Sequence, residues 1–232
     1  MAWATSRQGM VIKRLRLREI KPTLSPTLES KSDCREYVRS QRSKKTHNYL
    51  ADKLISKQLL KLIDSYKPPR TYRFKQDGRL FFMRARKPRR LLVYIPLEGE
   101  ANIWGVINHL RKHKSSRGYD LLVPKTSLEA RGAGFRVVKF CLPLIKTKFR
   151  LKEPLSRALE SIKHIDLAVI PVLAVDKNLK RIGFGKGMYD RFFASLKARP
   201  FSIFVSNKRY ISPRPLCEAH DIGADIYVSS GA

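Results

Sequence analysis

Ile165-Asp166-Leu167-Ala168-Val169-Ile170-Pro171-Val172-Leu173-Ala174-Val175, followed after five residues by Arg181-Ile182-Gly183-Phe184-Gly185-Lys186-Gly187-Met188-Tyr189-Asp190-Arg191, is the stretch on which the reading of this chain turns. The first run is apolar without alternation and rich in β-branched residues, the pattern of a strand covered on both faces. The second places three glycines at alternate positions ahead of a helix predicted over Met188–Leu196. A buried strand, a glycine turn and a helix in that order belong to an open α/β sheet, which takes its ligands at the carboxyl ends of its strands.

Glycines lack Cβ atoms, so the backbone N–H groups around Gly183, Gly185 and Gly187 can approach phosphate oxygens closely. The helix that starts near Met188 adds its positive N-terminal end, and Arg181, Lys186 and Arg191 add full charges. Asp190 fits an anion-binding turn only with a divalent cation between it and the phosphates, which points to a nucleotide with Mg²⁺. Two familiar phosphate motifs do not fit. A Walker loop needs Ser or Thr after its Lys, and here Gly187 follows Lys186; a dinucleotide fingerprint needs Gly-x-Gly-x-x-Gly, and the spacing is Gly-x-Gly-x-Gly. Spacing alone leaves a phosphate loop and a purely structural glycine turn equally open.

Outward from this segment, strands and helices alternate. Strands are expected at Leu91–Leu97, Leu121–Pro124, Phe135–Leu142, Phe201–Val205 and Ile226–Val228, with helices over Ala101–His113 and Glu153–Ile162. Earlier, a helix is expected from about Ser32. A second, capped by Thr46, carries the stripe Leu50, Leu54, Leu59, Leu60 and Ile63 and stops at Lys67-Pro68-Pro69. The fold class that follows is α/β, a three-layer open sheet, mostly parallel, with helices on both faces. Residues 1–30 read as a leader or linker, poorly ordered, ahead of a catalytic domain over 31–232. Within that domain 70–90 is a basic hairpin or insertion, because Asp77-Gly78 lies between alternating apolar residues.

A hydrophobic fraction of 43% over 232 residues is enough to build a sizeable core. The net charge of +30 is spread over the chain, +18 in residues 1–90 and +12 in the remainder, so it is not a basic tail on a neutral enzyme. Such a field favours polyanions, among them nucleotides, polyglutamylated cofactors and RNA. Nucleic-acid binding on a degenerate enzyme scaffold is therefore the alternative to catalysis. Cys34, Cys141 and Cys217 are scattered, without metal-ligand spacing, as expected of reduced thiols in the cytoplasm. No apolar run reaches the length of a membrane span. Met1–Lys21 lacks the apolar core of a secretory signal, although its arginines leave organellar targeting open. Oligomeric state is not legible, and a monomer is the expectation.

The segment Asp166–Arg191 resembles the signature of the 5-formyltetrahydrofolate cyclo-ligase family, also called methenyltetrahydrofolate synthetases. Asp166, Leu167, Pro171 and Asp176 match its first part; Arg181, Gly183, Gly185, Gly187, Tyr189, Asp190 and Arg191 match its second. Met188 stands where the family has the first of two tyrosines, a change expected to alter packing and not function. Lys31 and Arg35, on one helix face, match the family's Lys…Arg pair for ATP. Ile95 and Glu100 match its folate contacts, although Ile103 replaces its usual Thr. Phe149 falls where it places an aromatic residue against the folate, and His220-Asp221…Asp225 resembles its closing segment.

The resemblance implies ATP-driven ring closure of 5-formyltetrahydrofolate to 5,10-methenyltetrahydrofolate, with ADP and phosphate released and no covalent nucleophile. It implies catalytic roles for Arg181, Lys186 and Asp190, and ATP contacts from Lys31, Arg35, Arg181, Ile182, Gly183, Phe184, Gly185, Lys186, Gly187, Met188 and Tyr189. Folate, free or polyglutamylated, would meet Ile95, Glu100, Phe149 and Tyr189; Mg²⁺ would be held by Asp190 and Asp221, with Asp225 as understudy. On this reading Asp190→Asn weakens Mg²⁺-dependent turnover and leaves the fold intact.

Overall fold

A computed structural model describes residues 10–13, 22–41, 48–67, 71–76, 79–84, 89–113, 118–126, 134–147, 151–157, 162 and 164–230. Its centre is a seven-stranded sheet. Four neighbouring pairs among β4 (Arg89–Leu92), β5 (Tyr119–Thr126), β9 (Leu167–Pro171), β12 (Phe201–Ser206) and β13 (Ile226–Ser229) are parallel. The order along the sheet is β13-β12-β9-β4-β5. β1 (Met10–Lys13) adds antiparallel to β13 and β6 (Phe135–Lys139) antiparallel to β5. Three two-stranded ribbons lie outside it: β2 (Thr71–Gln76) with β3 (Arg79–Arg84), β7 (Leu144–Lys146) with β8 (Lys152–Pro154), and β10 (Ala174–Val175) with β11 (Arg181–Ile182).

Side chains alternate between two cores, as the pleat of a doubly covered sheet requires. Leu91, Val93, Leu167, Val169, Ile203 and Ile226 face one core, which takes in Leu59 of α2 (Tyr49–Ser65) and Ile107 of α3 (Trp104–Lys112). Leu92, Leu122, Ala168, Ile170, Phe204 and Tyr227 face the other, closed by Phe192 and Phe193 of α4 (Met188–Ala194). Helices therefore cover both faces, and the three-layer, mostly parallel class holds. From β4 the chain winds one way to β5; from β9 it winds the other way to β12 and β13. The reversal lies between β4 and β9, so the loops leaving these two strands open the crevice where such sheets bind ligands.

The segment read as a linker is tied to the body: Thr23 and Leu24 donate to the Ile211 carbonyl, and Leu24 is buried. α1 (Lys31–Ser40) begins at a capping box in which Ser30 Oγ accepts from Asp33 N–H and the Asp33 carboxylate accepts from Ser30 N–H. α2 starts at Asn48, whose side chain accepts from Ala51 N–H; the expected cap, Thr46, lies outside the described residues. The buried stripe of α2 is Ile55, Leu59, Leu62 and Ile63, whereas Leu50 is 68% exposed. The apolar residues of α2 exceed one face, and packing on α3 selects which of them face inward.

The helix expected over Glu153–Ile162 is replaced at its start by β8, which pairs with β7. Glu153 is buried and its carboxylate accepts from Thr126 N–H, while Ser156 Oγ donates to the Lys139 carbonyl. These contacts to β5 and β6 override a modest helical pattern. Leu59→Ala should lower stability by about 2–5 kcal/mol, and Leu50→Ala should change it by less than about 0.5 kcal/mol, as read by urea denaturation. Equal effects would reverse the assignment of the buried stripe.

Candidate active site

The loop leaving β9 turns back through the β10–β11 ribbon and leads into the three glycines, at the carboxyl end of the central strands. Asp176, fully buried, fixes that ribbon. Its Oδ1 accepts from Asn178 N–H and Lys180 N–H, both at 2.8 Å, and its Oδ2 accepts from Cys217 N–H at 3.1 Å. One carboxylate thus satisfies three backbone donors and joins the turn to the C-terminal segment.

Arg181, in β11, is buried, and its NH1 donates to Asp190 Oδ2 of α4 at 3.1 Å. Its guanidinium carbon lies 5.0 Å from the Tyr189 ring centre. Its Nε is buried without a hydrogen-bond partner. The pair spans the glycine turn because Gly183 has no side chain: a Cβ there would come within 2.3 Å of the guanidinium. Gly187 caps α4 in the left-handed region at φ 57°. α4 has only seven residues, so the amides of the turn, not a long helix dipole, are the electropositive element.

α1 closes the other side. Its buried face, Cys34 and Val38, packs with Leu24, Leu173, Ala174 and Ile182. Burial pushes the Cys34 thiol up to about 11, so it stays a neutral core residue. Arg35 Nε donates to the Gly183 carbonyl at 2.8 Å, and Lys31 Nζ donates to Asp221 Oδ2 at 2.7 Å. Partial burial opposes the charge of both Lys31 and Asp221. Their mutual hydrogen bond, their charge attraction and the contacts of each with Glu218 together outweigh it, holding the Lys31 ammonium above and the Asp221 carboxyl below their ordinary ranges. The result is an open cleft of about 290 Å³ whose walls include Lys31, Arg35, Arg181, Arg191, Asp190 and Asp221.

The other expected residues are placed as follows. Gly183, Gly185 and Gly187 line the cleft. Lys186 and Gly185 are exposed, and Lys186 is not among the residues of the cleft wall. Ile182 is buried with α1, while the Met188 and Tyr189 side chains pack against the core behind the loop. Ile182, Met188 and Tyr189 are not among the residues that line the cleft. Phe184 is partly buried, and its carbonyl accepts from Arg39. Ile95 and Glu100 are buried after β4, with Glu100 Oε2 accepting from Leu97 N–H at 3.0 Å. Ile103, also buried, precedes α3 without a side-chain cap. Burial, reinforced by the Glu100 carboxylate, pushes the hydroxyls of Tyr94 and Tyr189 well up. Phe149 lies outside the described residues. Asp225 is directed elsewhere: it accepts from Ser202 N–H and pairs with Arg199 at 3.0 Å, which removes it as an understudy to Asp221.

Three residues, Arg39, Glu218 and Tyr94, went unread in the sequence. Arg39 continues the i, i+4 row of Lys31 and Arg35 by one further turn, a signal present in the spacing. Glu218 and His220 gather with Asp221, their ligand atoms within 4.8 Å of one another. Tyr94 reads as one more strand residue, and nothing in the sequence marks it.

The chain belongs to the 5-formyltetrahydrofolate cyclo-ligase family, whose model matches residues 51–222. A search of curated proteins returned no match. The fold is similar to the NMR structure of the 5,10-methenyltetrahydrofolate synthetase of Aquifex aeolicus, at 20% identity and a TM-score of 0.59, covering 86% of this chain and 89% of that one. It is also similar to the 5,10-methenyltetrahydrofolate synthetase of Mycoplasma pneumoniae, at 16% identity and a TM-score of 0.56, covering 86% of this chain and 97% of the other.

The buried pair revises the expectation for Asp190. Asp190→Asn leaves Arg181 buried without its counter-charge, so the variant should lose about 3–5 kcal/mol of stability. Chemical denaturation reads this directly, and an unchanged midpoint would show that Arg181 finds other compensation.

Proposed function

We propose that this chain closes the ring of 5-formyltetrahydrofolate to give 5,10-methenyltetrahydrofolate at the expense of ATP, using the cleft between α1 and the glycine turn. Family membership supports the reaction. The observation that carries the site is convergence: the side-chain-free turn, the Lys31/Arg35 row and two carboxylates meet in one cleft. The chemical difficulty is that the formyl oxygen is an amide oxygen and leaves poorly. Transfer of the terminal phosphoryl group makes it a leaving phosphate, after which N10 attacks the formyl carbon.

The protein's contribution is positioning and charge stabilisation. Arg181, whose side chain lines the cleft, and the amides from Gly183 to Gly187 receive the terminal phosphate. Lys31 and Arg35 hold the rest of the triphosphate from α1. Lys186, exposed at the turn, is assigned to the arriving nucleotide. Glu100 orients the pterin, with Ile95, Phe149 and Tyr189 around it.

The donor set suits a hard divalent cation: Asp190 and Asp221 both present oxygens to the cleft. Each carboxylate already faces a cation, Arg181 or Lys31, but retains lone pairs beyond those contacts. These two residues would hold Mg²⁺, which neutralises charge on the phosphates. Asp221 also belongs to the set with Glu218 and His220, so its neighbours can serve the same ion.

A second groove, of about 640 Å³, is lined by Trp104, Leu142, Pro143, Leu144, Lys146 and Lys152. Trp104 lies four residues beyond Glu100, and an apolar floor with two ammonium groups suits the aryl and glutamate parts of the folate, including polyglutamate tails. The three cysteines are free, in keeping with work in the cytoplasm.

Mixing the protein with ATP, Mg²⁺ and 5-formyltetrahydrofolate should produce the absorbance of the methenyl product; a flat trace with folded protein sinks the assignment. Lys31→Ala should raise the apparent KM for ATP by about tenfold with the fold retained. Unaltered ATP kinetics would leave Lys31 as a partner of Asp221 and Glu218 only.

A further inference from the structure

Asn207 is the first residue after β12, and β9 lies between β12 and β4 in the sheet. Its side chain nevertheless reaches the turn that follows β4. Asn207 Nδ2 donates to the Gly99 carbonyl at 3.1 Å, across the carboxyl end of β9. That turn, Leu97-Glu98-Gly99-Glu100, closes on itself twice. Glu100 N–H donates to the Leu97 carbonyl at 3.1 Å, and Leu97 N–H donates to Glu100 Oε2 at 3.0 Å. Gly99 lies at φ 79°, the third position of a turn that needs a left-handed residue. The peptide unit joining Gly99 to Glu100 is thus fixed at both ends, its N–H by Leu97 and its C=O by Asn207. Asn207 is itself held, because its carbonyl accepts from Ser230 N–H at 3.4 Å and from Ser230 Oγ.

We infer that Asn207 is a positioning residue for folate, acting through Glu100. The inference rests on the assignment of Glu100 to the pterin and adds the group that aims its carboxylate. The chain after Glu100 is anchored by the Tyr94 hydroxyl, which donates to the Ala101 carbonyl, and by Asp52, which accepts from Asn102 N–H. Asn207 anchors the residue before it, from the other side of the crevice between β4 and β9. Glu100 is therefore pinned on both sides before a ligand arrives, which is what a group that must orient a ring requires. Asparagine suits the task chemically. A carbonyl only accepts, so its partner must bring an N–H, and a neutral amide brings one without a charge that competes for the neighbouring carboxylate.

The test measures the Kd of 5-formyltetrahydrofolate and of ATP by calorimetry on the full chain, with steady-state kinetics alongside. Asn207→Ala should weaken 5-formyltetrahydrofolate binding about three- to tenfold and raise its KM to match, with ATP affinity kept within about twofold. Asn207→Asp keeps the shape but sets an acceptor against the Gly99 carbonyl, so it should lose at least as much. Retained ATP affinity reports that both variants fold. In a Glu100→Ala background, adding Asn207→Ala should cost less than about twofold, since no carboxylate remains to be aimed. The assignment is overturned by unchanged folate binding in both Asn207 variants, by equal losses for folate and ATP, or by the same loss with and without Glu100. Failure of the unaltered chain to bind 5-formyltetrahydrofolate overturns the reading of the site, and this inference with it.

Discussion

The contact between Arg181 and Asp190 is the constraint around which the site is built. It bridges a two-residue strand and a seven-residue helix, both too short to be stable by themselves. A buried guanidinium is tolerated only with its counter-charge in place, so the turn between the partners is held to the one geometry that brings them together. Gly183 permits that geometry because a methyl group would occupy the space of the guanidinium. The same arrangement leaves the Nε of Arg181 buried without a hydrogen-bond partner, in a side chain that also lines the open cleft.

Around this pair the fold adds supports that are remote in sequence. Asp176 gathers three amides, including that of Cys217, and so joins the glycine segment to the chain's last loop. α1 reaches the turn from the N-terminal side through a small core of its own, with Arg35 and Arg39 on the carbonyls of Gly183 and Phe184. The cleft sets four cationic side chains, Lys31, Arg35, Arg181 and Arg191, against the carboxylates of Asp190 and Asp221, so it stays net positive and suits an anionic ligand. The position of the cleft follows from topology, because the loops after β4 and β9 part where the winding of the sheet reverses.

Much of this was legible in the linear chain. Short unbroken apolar runs such as Leu167–Pro171, rich in β-branched neighbours, read as strands with both faces covered, and they point to the class of the sheet. The spacing of Gly183, Gly185 and Gly187 ahead of Asp190 marks a tight turn before a helix, although spacing alone leaves a phosphate loop and a structural turn equally open. Lys31, Arg35 and Arg39 lie four residues apart, and helix geometry alone puts them in one row.

Other features were settled only by contacts between distant segments. Leu50 and Ile55 are equally apolar, and only the docking of α2 decides that Ile55 is buried and Leu50 exposed. Glu153 leaves a helical pattern because Thr126, on another strand, offers it an N–H. Asp221 and Asp225 are alike in sequence, yet one meets Lys31 in the cleft and the other meets Arg199 and Ser202. Periodicity and glycine spacing are local properties and act through the backbone of each segment. The partner of a charged or half-buried group is set by what the fold brings alongside it, and no single stretch of chain contains that information.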